Sequence, residues 1–216
     1  MKALVIFSGG LDSTTALYWA KAHCDAVKAV HFSYGSNHQE REGNAAQRIA
    51  DALGVELYNI PLAFIGQHFK SALLGGSIPD GRYESDNMRE TVVPFRNGIM
   101  LSVAAGLANS IGFDTVILGN HGGDHFIYPD CRPRFITDMD AAIQAGTAKA
   151  VQLFSPFCQM NKGGIVQVGH LLGVDFEKTY SCYKGGELHC GICGTCIERK
   201  EAFAAAGVKD PTIYQN

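Results

Sequence analysis

The fold of this chain is decided near its start, where residues 3–13 read ALVIFSGGLDS. The first five of these residues form a continuous apolar run, the pattern of a parallel strand that is buried on both faces. The run stops at a Ser-Gly-Gly turn, and residues 13–22 then carry apolar side chains at helical spacing, with Asp12 or Ser13 as the expected N-cap. The stretch therefore predicts a strand, a glycine-rich turn and the N-terminus of a helix.

Such a turn is suited to binding an anion. Gly9 and Gly10 allow backbone N–H groups to point inward, and the positive end of a helix dipole lies behind them. Neither the Walker A pattern nor the GxGxxG fingerprint is present. The string instead resembles the pyrophosphate loop of ATP pyrophosphatases, although an ordinary strand–turn–helix junction is the simpler alternative.

The resemblance to the pyrophosphate loop implies an ATP site. It implies that Ser8, Gly9, Gly10 and Ser13 hold pyrophosphate oxygens, and that Asp12 orients the loop or binds Mg²⁺. The full set of residues expected to bind ATP is Phe7, Ser8, Gly9, Gly10, Leu11, Asp12, Ser13, Thr14 and Gly119.

The rest of the chain alternates strands and helices. Further strands are predicted at 25–32, 55–60, 114–118 and 151–154, and helices at 40–53 (ending at Gly54), 98–110, 135–146 and from Asn161 or Lys162 to 172. This order predicts an α/β fold with a doubly wound, five-stranded parallel sheet of the adenine-nucleotide alpha-hydrolase type. The expected division is a nucleotide-binding domain at 1–160 and a C-terminal helical and zinc-knuckle segment at 161–216. Ligands of such sheets bind at the carboxyl ends of the strands, and here we expect the site in the crevice flanked by strands one and four.

Residues 61–92 are the least regular stretch of the sequence, with few apolar residues after Leu74 and several glycines and prolines. Loops of this length are usually functional or disordered. We therefore expect a mobile cover over the active site.

Composition and net charge reduce the classes of function that fit this chain. The chain has 216 residues and a formal net charge of −3, without a basic stripe for a nucleic acid backbone. It has no apolar run of about 18 residues, and its first strand follows Met1-Lys2 directly. We expect a cytoplasmic protein that acts on small molecules and binds neither a membrane nor a nucleic acid.

Four of the seven cysteines lie close together near the C-terminus, at Cys182, Cys190, Cys193 and Cys196. Two successive C-x-x-C steps bring thiolates together, and four-cysteine sites suit structural Zn²⁺. An iron–sulfur cluster is the main alternative, and a redox-active C-x-x-C is less consistent with two interlocking steps.

Taken together, these motifs resemble the 7-cyano-7-deazaguanine synthase family over nearly the whole chain. The pyrophosphate loop, the residues VPFRN at 93–97, the residues YPDCR at 128–132 and the four cysteines occur in the family's order and spacing. The chain departs from many members at Phe95, where they have glycine, and at Gly122-Gly123. These departures leave the substrate contacts open.

The resemblance implies a reaction between 7-carboxy-7-deazaguanine, ATP and ammonia. An acyl adenylate forms first, ammonia gives an amide, and a second activation gives the nitrile used in queuosine biosynthesis. The expected catalytic residues are Asp12, Ser13, Arg96 and Lys162, and the expected substrate contacts are Arg96, Asn97, Asp124, Tyr128, Asp130 and Arg132. A surface ion pair is the simpler interpretation of Asp124, Asp130 and Arg132, and His38, His121 and His125 are most simply polar loop residues.

Other functions remain open at this level. The adenylated carboxylate could react with an amine other than ammonia, or the loop could serve a tRNA thiolase, which would need a basic face and an iron–sulfur cluster. A non-catalytic nucleotide sensor would bind ATP without releasing pyrophosphate. The family resemblance also suggests a homodimer.

Overall fold

The five apolar runs of the sequence form one sheet. In the computed structural model, which describes residues 1–81 and 86–215 without the side chains of residues 86, 87, 124 and 125, the strands are β1 (Lys2–Ile6), β2 (Ala26–Ser33), β3 (Leu57–Pro61), β4 (Thr115–Ile117) and β5 (Gln152–Phe154). All neighbouring strands are parallel and their order is β3-β2-β1-β4-β5. This confirms the predicted doubly wound fold. Strands β2 and β3 lie on one side of β1, and β4 and β5 lie on the other, so the order of the strands reverses between β1 and β4.

Helices cover both faces of the sheet, as the continuous apolar run of β1 requires. They are α1 (Leu11–His23), α2 (Gln39–Leu53), α3 (Ala63–His68), α4 (Arg96–Ser110), α5 (Pro133–Gly146), α6 (Lys162–Leu171) and α7 (Gly194–Ala206). Ala3 and Val5 share one apolar cluster with α1, α6 and α7, whereas Leu4 and Ile6 share another with α4 and α5. Successive side chains of β1 therefore enter opposite cores.

Two predicted helix ends are confirmed and one predicted start is wrong. Gly54 ends α2 in the left-handed conformation with φ of 64°, and the Asn161 side chain caps α6 by accepting the Gly164 N–H at 2.9 Å. The N-cap of α1 is Gly10, without a side-chain cap. Ser13 Oγ instead accepts the Ser8 N–H and donates to the Gly10 carbonyl, both at 3.2 Å, because the turn folds back on itself.

Residues 61–92 are more ordered than their composition predicted. The segment contains α3 and a 3₁₀ helix at Asp86–Thr91, and Ile65, Leu73 and Met88 are fully buried. The prediction of an irregular stretch is wrong at α3 and at the 3₁₀ helix, where a few buried apolar side chains fix the backbone. Residues 69–81 between them form turns and irregular structure. Residues 82–85 lie outside the described residues, and the mobile cover stays a prediction.

The C-terminal segment shares the core of the nucleotide-binding region. Ile165 and Phe203 belong to the same apolar cluster as Val5 and Leu17. Arg199 of α7 is fully buried, and its guanidinium donates to Thr179, Ser181 and the Phe176 carbonyl at 2.8–3.1 Å. The expected division of the chain after residue 160 stays a prediction.

The stretch Met88–Ser110 has the length and composition of a membrane-spanning helix. Half of its most apolar window is buried inside the structure, and Leu101, Ala104 and Ala108 of α4 are fully buried in the cluster beside the sheet. We therefore interpret α4 as a core helix of the α/β fold.

The turn after β1 depends on the absence of a side chain at Gly9. Its φ is +82°, and an added Cβ would lie 2.6 Å from the Ala46 nitrogen and 2.9 Å from the Glu42 carbonyl oxygen of α2. Because both contacts are backbone atoms, α2 would have to move. We expect Gly9→Ala to lower the free energy of unfolding by at least about 2 kcal/mol, measured by thermal and urea denaturation.

Gly106→Ala is the matched control, since Gly106 lies within α4 and an added Cβ meets nothing within 4 Å. It should leave the stability unchanged or raise it by roughly 0.5–1 kcal/mol. Equal melting temperatures for the Gly9 variant and the natural protein would show that the close approach imposes no constraint.

Candidate active site and four-cysteine cluster

A cleft lined by both polar and apolar side chains opens at the carboxyl ends of β1 and β4, at the predicted switch point. The turn after β1, the start of α4, the loop after β4 and the segment before α7 all contribute to its lining. Of the expected ATP-binding residues, those lining the cleft are Phe7, Ser8, Gly10, Leu11, Asp12, Ser13 and Gly119. Gly9 and Thr14 lie behind this surface, where Gly9 approaches α2 and Thr14 is fully buried.

The expected substrate residues divide into two groups. Arg96, Asn97 and Tyr128 line the cleft, together with the expected catalytic residue Lys162. Asp130 is buried behind the lining, and Arg132 is exposed outside it. The side chains of Asp124 and His125 lie outside the described residues. The roles expected for all these residues stay predictions.

The turn after β1 is compact and held by its own hydrogen bonds. Ser8 Oγ lies 3.1 Å from Ser13 Oγ and accepts the Gly10 N–H at 3.2 Å. Helix α1 begins immediately afterwards, and its first residues, Leu11, Asp12 and Ser13, line the cleft. The first N–H groups of a helix have no partner within the helix and suit an anion. This arrangement fits phosphate oxygens.

A cluster of charged groups lies beside this turn. Lys162 Nζ is 3.1 Å from Asp12 Oδ2 and 2.6 Å from Glu198 Oε2. His121 Nε2 lies 3.9 Å from Asp12 and 3.7 Å from Glu198, and its Nδ1 accepts the Gly123 N–H at 3.1 Å, which places the ring proton on Nε2. In the described part of the chain, the other Asp12 oxygen is buried and accepts no hydrogen bond. That oxygen fits a metal ion or a bound ligand.

Arg96 is a second cation that lines the cleft. Its Nη1 donates to Tyr34 Oη at 3.0 Å. Burial lowers the pKa of Arg96. The acidic groups around it outweigh this effect and raise the pKa well above its usual range; they are Tyr34, Tyr183, Tyr128 and Asp130. The guanidinium is therefore a permanent positive charge that can meet a carboxylate or a phosphate.

His38 and Glu42 form a buried pair on the wall of the cleft. His38 Nε2 lies 3.5 Å from Glu42 Oε2, one helical turn away on α2. Burial raises the pKa of Glu42 to about 8, against the opposing effect of Arg96. Burial and Arg96 together lower the pKa of His38 to about 4. Near neutral pH both groups are therefore mostly uncharged.

Asp130 has a role inside the fold. Its Oδ2 accepts the backbone N–H of Asn97 at 2.8 Å, in the first turn of α4. The Asn97 side chain also hydrogen-bonds to this turn, donating to the Asp130 carbonyl and to Cys131 Sγ, both at 3.2 Å. The turn at Pro129–Cys131 therefore fixes the start of α4, where Arg96 lies.

The four clustered cysteines converge on one point. Their sulfur atoms all lie within 4.8 Å of one another and all four residues are buried. Cys190 Sγ is 3.9 Å from Cys196 Sγ, close to the distance of about 3.8 Å expected in a tetrahedral site with Zn–S bonds of about 2.3 Å. Backbone N–H groups of Ile192 and Cys193 point at Cys190 Sγ at 3.5 and 3.3 Å. The donor set can hold a metal such as zinc.

The cysteine segment also forms part of the cleft. Ser181 and Tyr183 flank Cys182, Thr195 precedes Cys196, and all three line the cleft. Tyr180 donates its backbone N–H to the Gly9 carbonyl at 3.0 Å. The metal-binding segment is therefore fixed directly to the turn after β1.

Several site residues could not be found from the sequence. Glu198 lies on α7, just after the cysteine cluster, and Glu42 and Tyr34 belong to a helix and a loop without any motif. Only the spacing of His38 and Glu42, at i and i+4 on one helix, could have indicated a pair. The other contacts join segments that are far apart in the chain.

A model of the family described as queuosine biosynthesis protein QueC matches residues 2–207. The chain belongs to this family. A relative from Porphyromonas gingivalis named 7-cyano-7-deazaguanine synthase is 52% identical over 215 residues, covering 99% of this chain and 97% of the relative. A protein of the same name from Desulfotalea psychrophila is 46% identical over 214 residues, covering 98% of each chain.

Among solved structures, the QueC-family chain is similar to the U34-tRNA thiolase NcsA from Methanococcus maripaludis, whose structure includes a 4Fe–4S cluster. The TM-score is 0.53 at 12% identity, over 85% of this chain and 61% of the thiolase chain. At this identity the likeness shows a shared fold alone.

The raised pKa of Glu42 predicts a pH-dependent stability. Between its ordinary value of 4.5 and about 8, the unfolded chain has lost the proton that the folded chain retains, so rising pH favours unfolding. Glu42→Gln removes this effect. We expect the variant to gain stability relative to the natural protein as pH rises through this window, by on the order of 1–3 kcal/mol, measured by urea denaturation.

Glu40→Gln provides the control, because Glu40 is exposed on the same helix. Its difference from the natural protein should not change with pH. Stability curves of the Glu42 variant and the natural protein that stay parallel across the window would rule out a buried, protonated carboxyl group.

Proposed function

We propose that this chain makes 7-cyano-7-deazaguanine from 7-carboxy-7-deazaguanine, ATP and ammonia, as a carbon–nitrogen ligase in queuosine biosynthesis. Relatives of that name match it along nearly their full length. The observation that carries the proposal is the cleft itself, which is lined both by the compact turn after β1 and by the Arg96 side chain. Such a cleft suits a triphosphate and a carboxylate.

The turn after β1 binds the pyrophosphate part of ATP. Ser8, Gly10 and Ser13 present hydroxyl and N–H groups, and the dipole of α1 adds positive potential. Lys162 contacts the phosphates by exchanging part of its ion pairing with Asp12 and Glu198. The buried, unbonded oxygen of Asp12 is suited to Mg²⁺, which would neutralise part of the charge on the triphosphate.

Activation of the substrate follows from these positions. Arg96 binds the carboxylate of the deazaguanine, and one carboxylate oxygen attacks the α-phosphorus of ATP, releasing pyrophosphate and forming an acyl adenylate. Ammonia then forms a C–N bond to the acyl carbon, the bond to AMP breaks, and an amide results. A second adenylation, now at the amide oxygen, followed by loss of AMP and two N–H protons, gives the nitrile. The protein mainly positions the reactants and stabilises charge.

Tyr128 is suited to the heterocycle, since it lines the cleft and its hydroxyl is fixed by Thr91 Oγ1 at 2.9 Å. Asp130 acts through the Asn97 backbone on the position of Arg96. The cluster at Cys182, Cys190, Cys193 and Cys196 holds structural Zn²⁺, with all four positions filled by protein. We further propose a cytoplasmic homodimer that acts on small molecules and binds no nucleic acid.

Adenylation predicts defined products. The purified protein with ATP, Mg²⁺, ammonia and 7-carboxy-7-deazaguanine should release AMP and pyrophosphate and form the nitrile, detected by mass spectrometry. Asp12→Ala and Ser13→Ala each remove a charged or polar contact in the loop, and should slow AMP formation by about 30- to 1000-fold.

Asp175→Ala serves as the control, because Asp175 pairs only at the surface with Lys178 among the described contacts. Its rate should equal that of the natural protein, and circular dichroism should confirm that all variants are folded. Release of ADP and phosphate without AMP would refute the adenylation mechanism.

The metal is tested separately. Purified protein should contain about one zinc and no iron per chain, and Cys193→Ser should lower both the zinc content and the melting temperature. Cys24→Ser, which changes a cysteine outside the cluster, should retain the metal. Stoichiometric iron with acid-labile sulfide would contradict the zinc assignment and favour a thiolase-like cluster.

A further inference from the structure

One buried pair in the cleft has no part in the reaction described so far. Glu42 and His38 both line the cleft, with side chains 16% and 2% exposed. Glu42 lies in the first turn of α2 and His38 is the N-cap residue of that helix, whose backbone touches the turn after β1 at Gly9. The pair is therefore next to the phosphate-binding turn, but apart from the Lys162 cluster.

The surroundings of Glu42 are unusual for a carboxyl group. His38 is its only partner within ion-pair distance among the described residues. The charged or titratable groups that act on the pair are Arg96, Tyr34, Tyr183 and Cys193. A carboxyl group in such a place costs stability compared with an amide or an apolar side chain. Groups of this kind are characteristic of sites that transfer protons.

The chemistry of the proposed reaction requires a proton acceptor. Ammonium predominates over ammonia at neutral pH, and it has no lone pair for attack on an acyl carbon. A carboxyl group whose pKa is near the working pH is well matched to this task, and the pKa of Glu42 is raised to about 8. The positive charge of an arriving ammonium ion favours the ionised form of the carboxyl group.

On the basis of the proposed ammonia-dependent function, we propose that Glu42 is the general base that deprotonates the incoming ammonium ion. One N–H bond of ammonium breaks and its proton moves to a Glu42 carboxylate oxygen. The nitrogen lone pair forms the C–N bond to the acyl carbon, and the electrons of the C–O bond leave with AMP. The nitrogen then loses a second proton to water in the cleft, and Glu42 returns its own proton to solvent.

His38 is a positioning residue in this scheme. Its ring stacks on Tyr183 with centroids 5.1 Å apart and an angle of 26°, so its Nε2 is held facing Glu42. Because the pKa of His38 is lowered to about 4, the neutral ring orients the carboxyl group without neutralising it by an ion pair. The carboxyl group is mostly protonated near neutral pH, and it becomes available as a base when the charge of the arriving ammonium ion shifts it to the ionised form.

A comparison of two nucleophiles distinguishes a role of Glu42 in proton transfer from a role in substrate binding or folding. Hydroxylamine is largely unprotonated at neutral pH, so it attacks an acyl adenylate without needing a base to free its lone pair. With ammonium chloride, Glu42→Gln should form amide and nitrile about 100-fold more slowly than the natural protein. With hydroxylamine, the same variant should form the hydroxamate within about threefold of the natural rate, measured by mass spectrometry and AMP release.

His38→Asn should give a smaller selective loss with ammonium, about 10-fold, and a changed pH profile for that nucleophile alone. Glu40→Gln, on the exposed side of α2, should match the natural protein with both nucleophiles. Circular dichroism and ATP binding establish that each variant is folded.

The outcomes distinguish this inference from the function on which it rests. Equal losses with both nucleophiles would assign Glu42 to adenylation or to structure, and no loss with either would remove it from the reaction; each result overturns the inference. If the natural protein forms no AMP with the deazaguanine carboxylate, the proposed function itself fails.

Discussion

The close approach of Gly9 to α2 is the contact on which the site depends. A side chain at Gly9 would overlap the backbone at Ala46, and the Gly9 carbonyl accepts the Tyr180 N–H at 3.0 Å. The turn after β1 is therefore held between α2 on one side and the cysteine segment on the other. These two neighbours bring His38, Glu42 and Tyr183 to the cleft, so one glycine determines which distant parts of the chain meet there.

Much of the fold could be predicted because its signals are local. A few adjacent residues are enough to predict the buried strand β1, the end of α2 at Gly54 and the N-cap of α6 at Asn161. The spacing of the cysteines predicts a metal site, and the clustered sulfur atoms fit one. The N-cap of α1 was not predicted correctly, because Ser13 hydrogen-bonds inside the turn. The irregular composition of residues 61–92 concealed α3, because burial of a few apolar side chains outweighs weak local preference.

The site was less predictable, because its decisive contacts connect remote segments. Glu198 meets Lys162 only when α7 packs beside α6, and nothing adjacent to Glu198 indicates a ligand. Asp130 belongs to a motif that suggested a surface or substrate contact, yet its carboxylate accepts a hydrogen bond from the start of α4. At Phe95, by contrast, the local backbone accounts for a feature of the sequence. Its φ of 54° is in the left-handed region, which favours glycine, so glycine suits this position.

The cluster around Lys162 has a consequence for how the cleft discriminates among anions. Two carboxylates, Asp12 and Glu198, share the single ammonium group of Lys162, so the carboxylates outnumber the lysine in this corner. A bare polyphosphate would meet Coulomb repulsion there, whereas a polyphosphate that arrives with its own divalent counter-ion would bring the missing charge. Under the proposed function, this corner of the cleft would therefore favour a nucleotide that carries a divalent metal ion over the free nucleotide.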